Sequence, residues 1–238
     1  MSVMSLRNEG KVAIISMDNG KNAHNLEFAK QLLNLLKQAE EDKGNKALIL
    51  ASSDEKSWSQ GIDVPWMMGS IQNGKHDDVK EFLHTMDACF TLILEYPMPV
   101  IAAINGHTFG NGSVLACACD FRFMRSDRGF FCFPEVDMSI PFLPGMIEVI
   151  LKAIPMYRFN EMMLSGRRLS AEELKEDNVI AQTFEGTEAL FEGALTYAKT
   201  FSKGRGIFAE NKRRLFKSAI DGIAEKNPPL IDALKVLL

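Results

Sequence analysis

Short unbroken apolar runs and stretches with apolar residues three and four apart take turns along this chain, which predicts strands alternating with helices. Lys11 to Met17 reads as a strand after a hairpin-like start at Asn8-Glu9-Gly10, and it ends at the turn Asp18-Asn19-Gly20. Asn25 can cap a helix through Ala39 whose apolar face is Leu26, Phe28, Leu32, Leu33, Leu35 and Leu36. Ala47 to Ala51 is a second buried strand. Trp58 to Asp63, WSQGID, leads into a methionine-bearing segment at Pro65 to Met68 of the kind that forms lids. Asp77 to Glu95 then carries Val79, Phe82, Leu83, Met86, Cys89, Phe90, Ile93 and Leu94 at helical spacing.

The rest is organised around Pro99 to Asp120, PVIAAINGHTFGNGSVLACACD. Pro99 to Ile104 reads as a buried strand, Asn105-Gly106 as a turn, and Ser113 to Cys119 as a helix of side chains small enough to lie tight against a sheet. A helix starting at Gly110-Asn111-Gly112 aims unpaired N–H groups and the positive end of its dipole at whatever sits over the turn, a site for negative charge. No Lys-Ser or Lys-Thr follows Gly112 as a phosphate loop requires, and the third glycine of a dinucleotide fingerprint is missing. Such turns also serve as plain punctuation, and these glycines alone do not choose.

Beyond the turn, Phe121 to Met124 and Phe130 to Phe133 read as strands, which puts Glu135 at a strand end. Gly145 to Leu164 gives two helical pieces broken at Pro155. Ser170-Ala171-Glu172-Glu173 is a capping box, and Val179 to Phe184 a last short strand. From Thr187 onward the pattern is helical, with Lys212, Arg213, Arg214 and Lys217 as the densest basic cluster and an amphipathic tail from Leu230 to Leu238. The organisation read here is a core over 1–187 and a helical region over 188–238.

Composition narrows the class. The 238 residues are 46% hydrophobic and 24% charged, an ordinary globular balance, and a net charge of −4 with no dominant basic stripe argues against nucleic acid as a partner. Cys89, Cys117, Cys119 and Cys132 lie in apolar surroundings without Cys-x-x-Cys spacing, so neither a disulfide framework nor a metal site is expected. No charged start precedes an apolar core, and no apolar run approaches the roughly 20 residues of a membrane span. The expectation is a cytoplasmic protein with no membrane partner.

WSQGID, INGHTFGNGSVLACACDFRF and FPEVDMSIPF, in that order and covering nearly the whole chain, resemble the crotonase superfamily of enoyl-CoA hydratases and isomerases. The resemblance implies an α/β fold, a spiral of strand-strand-helix units forming two roughly perpendicular sheets, with C-terminal helices that build a homotrimer or a dimer of trimers. It implies an acyl-CoA substrate, coenzyme A being part of that substrate and no further cofactor being needed. It places half of an oxyanion hole on the backbone N–H of Ile62 and half on that of Asn111, where the family usually has glycine and where a positive φ is then expected. Lys21, Gln60 and Gly61 are expected along the coenzyme A moiety, with Lys212 to Lys217 as a further source of phosphate contacts. Trp66, Met67, Phe109, Val114 and Phe142 are expected as acyl-pocket walls.

The chemistry fits these residues. Removing an acidic proton beside a thioester creates an enolate whose oxygen needs preorganised donors in a dry site. A carboxylate must take that proton and return it, and Glu135, desolvated among Phe131, Phe133 and Val136, is the candidate, with Asp137 second. A hydratase of this family carries another glutamate where this chain has Val114. The pattern therefore points to a Δ3,Δ2-enoyl-CoA isomerase; a hydratase, thioester hydrolase, decarboxylase or non-catalytic acyl-CoA binder are the alternatives. His107 is expected to be a turn histidine bonded to backbone, without a catalytic role.

Overall fold

The apolar runs come together as strands in a computed structural model that describes residues 3–235. In chain order the strands are β1 (Met4–Glu9), β2 (Val12–Met17), β3 (Ala23–His24), β4 (Ala47–Ser52), β5 (Ser57–Ser59), β6 (Gly61–Ile62), β7 (Val100–Ile104), β8 (His107–Phe109), β9 (Phe121–Arg125), β10 (Phe131–Cys132) and β11 (Gln182–Phe184). One sheet has the order β1-β2-β4-β7-β9-β11, a second β10-β8-β5, and a third pairs β3 with β6. Every pairing is parallel except that of β1 with β2. From β2 to β10 the chain lays a strand in the large sheet, then one in a smaller sheet, then a helical stretch, and repeats. This is the crotonase spiral that the resemblance implies.

The large sheet is buried on both faces, which is why its strands read as unbroken apolar runs. Successive side chains point to opposite faces. Val12, Ile14, Ala47, Ile49, Ile101, Ala103 and Phe123 meet Leu190, Ala194, Leu195 and Ala198 on one side. On the other, Ala13, Ile15, Met17, Leu48, Leu50, Val100, Ala102, Ile104 and Met124 join the main core.

The helices are α1 (Leu26–Glu41), α2 (Val64–Gln72), α3 (His76–Glu95), α4 (Asn111–Ala118), α5 (Glu135–Met138), α6 (Pro144–Leu151), α7 (Met156–Ser165), α8 (Ala171–Glu176), α9 (Thr187–Lys199), α10 (Arg205–Leu215), α11 (Lys217–Asp221) and α12 (Pro228–Asp232), with a π-helical turn at Gly222–Lys226. Asn25 caps α1 by accepting from Phe28 N at 3.0 Å, and the Ser170–Glu173 capping box opens α8. The part expected to form a separate helical region opens with α9, which covers one face of the large sheet. Among the described residues no helix is long and apolar enough to cross a membrane.

Three expectations about local structure change. The segment read as a lid is the helix α2, because Asp63 accepts from Trp66 N at 3.1 Å and Pro65 sits in the first turn, where a missing N–H costs nothing. Glu135 opens the one-turn helix α5 rather than ending a strand. The last strand starts at Gln182, since Val179 and Ile180 are turned inward and their N–H groups bond back to Leu174 O at the end of α8. Val236, Leu237 and Leu238 of the expected apolar tail lie outside the described residues.

The basic cluster proves to be a set of internal pairs. Lys212 Nζ donates to Asp120 Oδ2 at 2.7 Å and to Ile93 O at 2.8 Å, and both side chains are nearly inaccessible, 7% and 9% exposed. Arg213 pairs with Glu95 and Glu210, Arg214 with Glu210, and Lys217 with Asp221. Lys212 is therefore committed to the core and does not extend to a phosphate. Lys212→Met strands the Asp120 carboxylate without its counter-ion, and urea unfolding should show a loss of about 3–5 kcal/mol. Adding Asp120→Asn to that variant should restore much of it, because the buried charge is then gone.

Candidate active site

The turn after β7 and β8 delivers α4 end-on to a cavity. Gly110 has φ +52°, a conformation suited to glycine, so the positive φ expected at Asn111 falls one residue earlier and Asn111 is the first residue of the helix. Val114 N bonds Gly110 O at 3.0 Å as the first helical hydrogen bond, which leaves the N–H groups of Asn111, Gly112 and Ser113 ahead of the helical ladder. All eight residues of α4 are buried. Their small side chains let neighbouring backbone come close. A Cβ built on Gly61 would stand 2.5 Å from Phe109 O and 3.0 Å from Asn111 N, so the WSQGID segment and the glycine turn touch backbone to backbone.

The far end of α4 is held by Arg122 and Lys152. Arg122 Nη1 donates to Ala116 O at 3.2 Å and Cys119 O at 2.8 Å, and Lys152 Nζ donates to Cys117 O, Ala118 O and Cys119 O at 3.0, 3.1 and 2.7 Å. Burial, with Arg122 nearby, pulls the Lys152 ammonium down to about 7. Arg122, and Lys152 in its protonated form, place positive charge against the carbonyls that a helix leaves unpaired at its C-terminus.

Glu135 reaches the same cavity from the other side. Pairing of β10 with β8 sets Cys132 beside Phe109, and Gly110 N bonds Cys132 O at 3.0 Å, so the chain three residues on passes directly over the turn. Glu135 Oε1 lies 3.0 Å from where a Cβ of Gly110 would be. Its Oε2 is buried without a hydrogen-bond partner, as is Asn111 Oδ1. Removal from water pushes the Glu135 carboxyl up to about 7. The cavity, about 30 Å³, is lined by Ile62, Met67, Leu83, Asn111, Glu135, Ile140, Pro141, Phe142, Leu143 and Met146.

Of the residues named from sequence, Glu135, Ile62, Asn111, Met67 and Phe142 therefore meet at one cavity. Trp66, Phe109 and Val114 stand outside its lining. Trp66 packs edge-on against Phe82 at 5.4 Å; Phe109 lies beside His107 and under the Arg168 guanidinium; Val114 is wholly buried in the core. Gly61 adjoins Ile62, Gln60 N bonds Lys21 O at 3.0 Å, and Lys21 is exposed. His107 Nδ1 is buried without a partner, and its ring packs on Phe109 and Phe130. Leu83, Ile140, Pro141, Leu143 and Met146 were not expected. Leu83 belongs to a stripe that reads as core, and in the loop 139–143 only Phe142 is named from the sequence.

A sequence model of the enoyl-CoA hydratase/isomerase family matches residues 7–225. The chain is 28% identical over 201 residues to the mouse mitochondrial delta(3,5)-delta(2,4)-dienoyl-CoA isomerase, covering 81% of this chain and 61% of that protein, so it spans less than two thirds of the mouse enzyme. It is 30% identical over 177 residues to enoyl-CoA delta isomerase 3 of Arabidopsis thaliana, covering 71% of each. Among solved structures, an enoyl-CoA hydratase from Bacillus halodurans superposes with a TM-score of 0.84 over 99% of this chain and 97% of its own, at 22% identity. An apo enoyl-CoA isomerase from Mycobacterium tuberculosis does so with a TM-score of 0.86 over 98% of each chain, at 20% identity. At these identities the two structures speak for the fold. With a family match over almost its whole length, the chain belongs to the enoyl-CoA hydratase/isomerase family.

Proposed function

We propose that this protein moves the double bond of a 3-enoyl-CoA to the trans-2 position, with Glu135 as a single proton shuttle. The observation that carries the reading is a lone carboxylate: among the described residues lining the cavity, Glu135 is the only titratable group. The thioester oxygen is taken to sit between the N–H groups of Ile62 and Asn111. Glu135 then removes a proton from C2, the electron pair moves toward the thioester oxygen, and the same carboxyl returns the proton at C4, leaving the double bond between C2 and C3. A hydratase also needs a group to hold water, and the position of the family's second glutamate is the buried Val114. A binder without turnover needs no carboxyl drawn out of water; the burial of Glu135 Oε2 favours catalysis.

A panel of 3-enoyl-CoA and trans-2-enoyl-CoA esters tests this. The 3-enoyl esters should be isomerised, and kcat/KM should rise with pH through about 7, because only the ionised Glu135 accepts a proton and burial has raised its folded-state value from 4.5 to about 7. A limb near 4.5, or hydration of the 2-enoyl esters as the main reaction, contradicts the reading. The family likeness further supports self-association as a trimer. Ile207 and Leu215, 62% and 75% exposed, leave apolar surface on α10 for a neighbour. Light scattering at micromolar concentration should give three times the chain mass.

A further inference from the structure

His24 has no part in the chemistry described so far, yet it sits at the join of the two segments proposed to face the thioester. It is the second residue of β3, paired with Ile62 across the ladder to β6. It is fully buried, and its ring stacks on Phe28 with centroids 4.2 Å apart. Both ring nitrogens are bonded: Nε2 lies 2.8 Å from Ser59 Oγ and Nδ1 lies 2.9 Å from Asn111 Nδ2.

The tautomer follows from the neighbours. Ser59 donates its one hydrogen to Asn22 O at 2.9 Å, so its oxygen accepts from His24 Nε2–H, and Nδ1 is the bare acceptor that takes a hydrogen from the Asn111 amide. Ser59 Oγ also accepts from Gly61 N at 3.1 Å. A continuous chain thus runs from Gly61 through Ser59 and His24 to Asn111. It requires a neutral imidazole, and complete burial provides one by pulling His24 down to about 3. Asn111, 4% exposed, has its amide nitrogen held by His24 while Oδ1 has no partner. Without His24 the whole amide is a buried polar group with nothing to hold it at the mouth of the cavity.

We infer that His24 is a positioning residue: through the Asn111 side chain it sets where the backbone N–H of Asn111 stands relative to that of Ile62, the two groups that receive the thioester oxygen. The inference rests on the acyl-CoA reading proposed above. A contact that acts on donor spacing matters where the oxygen carries most negative charge. Its loss falls on kcat and on enolate formation while affinity for the coenzyme A thioester is kept.

The test combines kinetics with a bound 3-ketoacyl-CoA, whose enolate has its own ultraviolet band. Wild-type protein should bind this ligand and show the band. His24→Leu should bind it within about threefold of wild type, lose most of the band, and lose kcat by about tenfold to a hundredfold. In an Asn111→Gly background, which keeps the backbone N–H and removes the tethered amide, His24→Leu should cost no more than about threefold in kcat. His24→Asn, which keeps an acceptor for the Asn111 amide, should stay within about fivefold of wild type. Equal losses in the two backgrounds, an intact enolate band in His24→Leu, or a loss of about tenfold or more in His24→Asn overturns the inference. The last criterion decides alone if the leucine variant does not fold. Failure of the wild type to bind the 3-ketoacyl-CoA removes the acyl-CoA reading, and this inference with it.

Discussion

Glu135→Gln should lower turnover of 3-enoyl-CoA by roughly 10²-fold to 10⁴-fold, the range usual for a general base, while acyl-CoA affinity stays near that of the wild type. Glutamine keeps the length and hydrogen-bonding shape of the side chain and removes the group that takes the proton. Stability should not suffer, because burial already disfavours the charged carboxylate and Oε2 has no partner to lose. Steady-state kinetics beside calorimetric titration with an acyl-CoA separates the two effects. A variant that retains the full isomerase rate removes Glu135 from the mechanism. A variant that loses affinity in step with rate assigns Glu135 to binding instead.

Gly61→Ala should be as damaging by a different route. At φ +76° the new Cβ would lie 2.5 Å from Phe109 O and 3.0 Å from Asn111 N, so the two segments that carry the proposed donors must move apart. Loss of one such donor costs about 10²-fold to 10³-fold in kcat, and this change disturbs both. Gly74→Ala is the matched control. Gly74 has φ +71° and nothing within 4 Å of a built Cβ, so it carries the same backbone strain without the collision. Strain should cost each variant about 1–2 kcal/mol of stability, the collision should add to the cost in Gly61→Ala, and only Gly61→Ala should lose the bulk of its activity. Equal activities in the two would disconnect the close approach at Gly61 from catalysis.

The fold was legible because its signals are local. Apolar runs bounded by turn residues gave β2, β4 and β7 within a residue or two of their observed limits, and Asn25 and Ser170 mark helix starts through hydrogen bonds made inside four residues. Glu135, Ile62 and Asn111 were legible through motif spacing, and Met67 and Phe142 through their nearness to those motifs. What was hidden depends on contacts distant in sequence. Lys212 looks like a solvated cation until Asp120, ninety-two positions earlier, is brought against it. Leu83 shares a helical stripe with residues outside the cavity lining, and only the packing of α3 against α4 separates it from them. Trp66 and Phe109 lie as close to the motifs as Met67 does, but their rings turn toward Phe82 and His107. The link from His24 to Asn111 joins positions 87 apart and has no sequence period to announce it.

The two basic side chains behind α4 matter for how the site responds to charge. When negative charge develops on a substrate oxygen, donors carried by a loosely seated helix would be drawn toward it and relax away again, and part of the stabilisation would be used up in that displacement. Here the helix is braced from behind by five hydrogen bonds from Arg122 and Lys152 to its last carbonyls, and its sides are close-packed along every residue. It cannot recoil. In the proposed isomerase, a short rod seated against such a stop would present its leading N–H groups at nearly the same place in the ground state and in the transition state, so that the oxygen would come to the donors and little work would go into moving the protein.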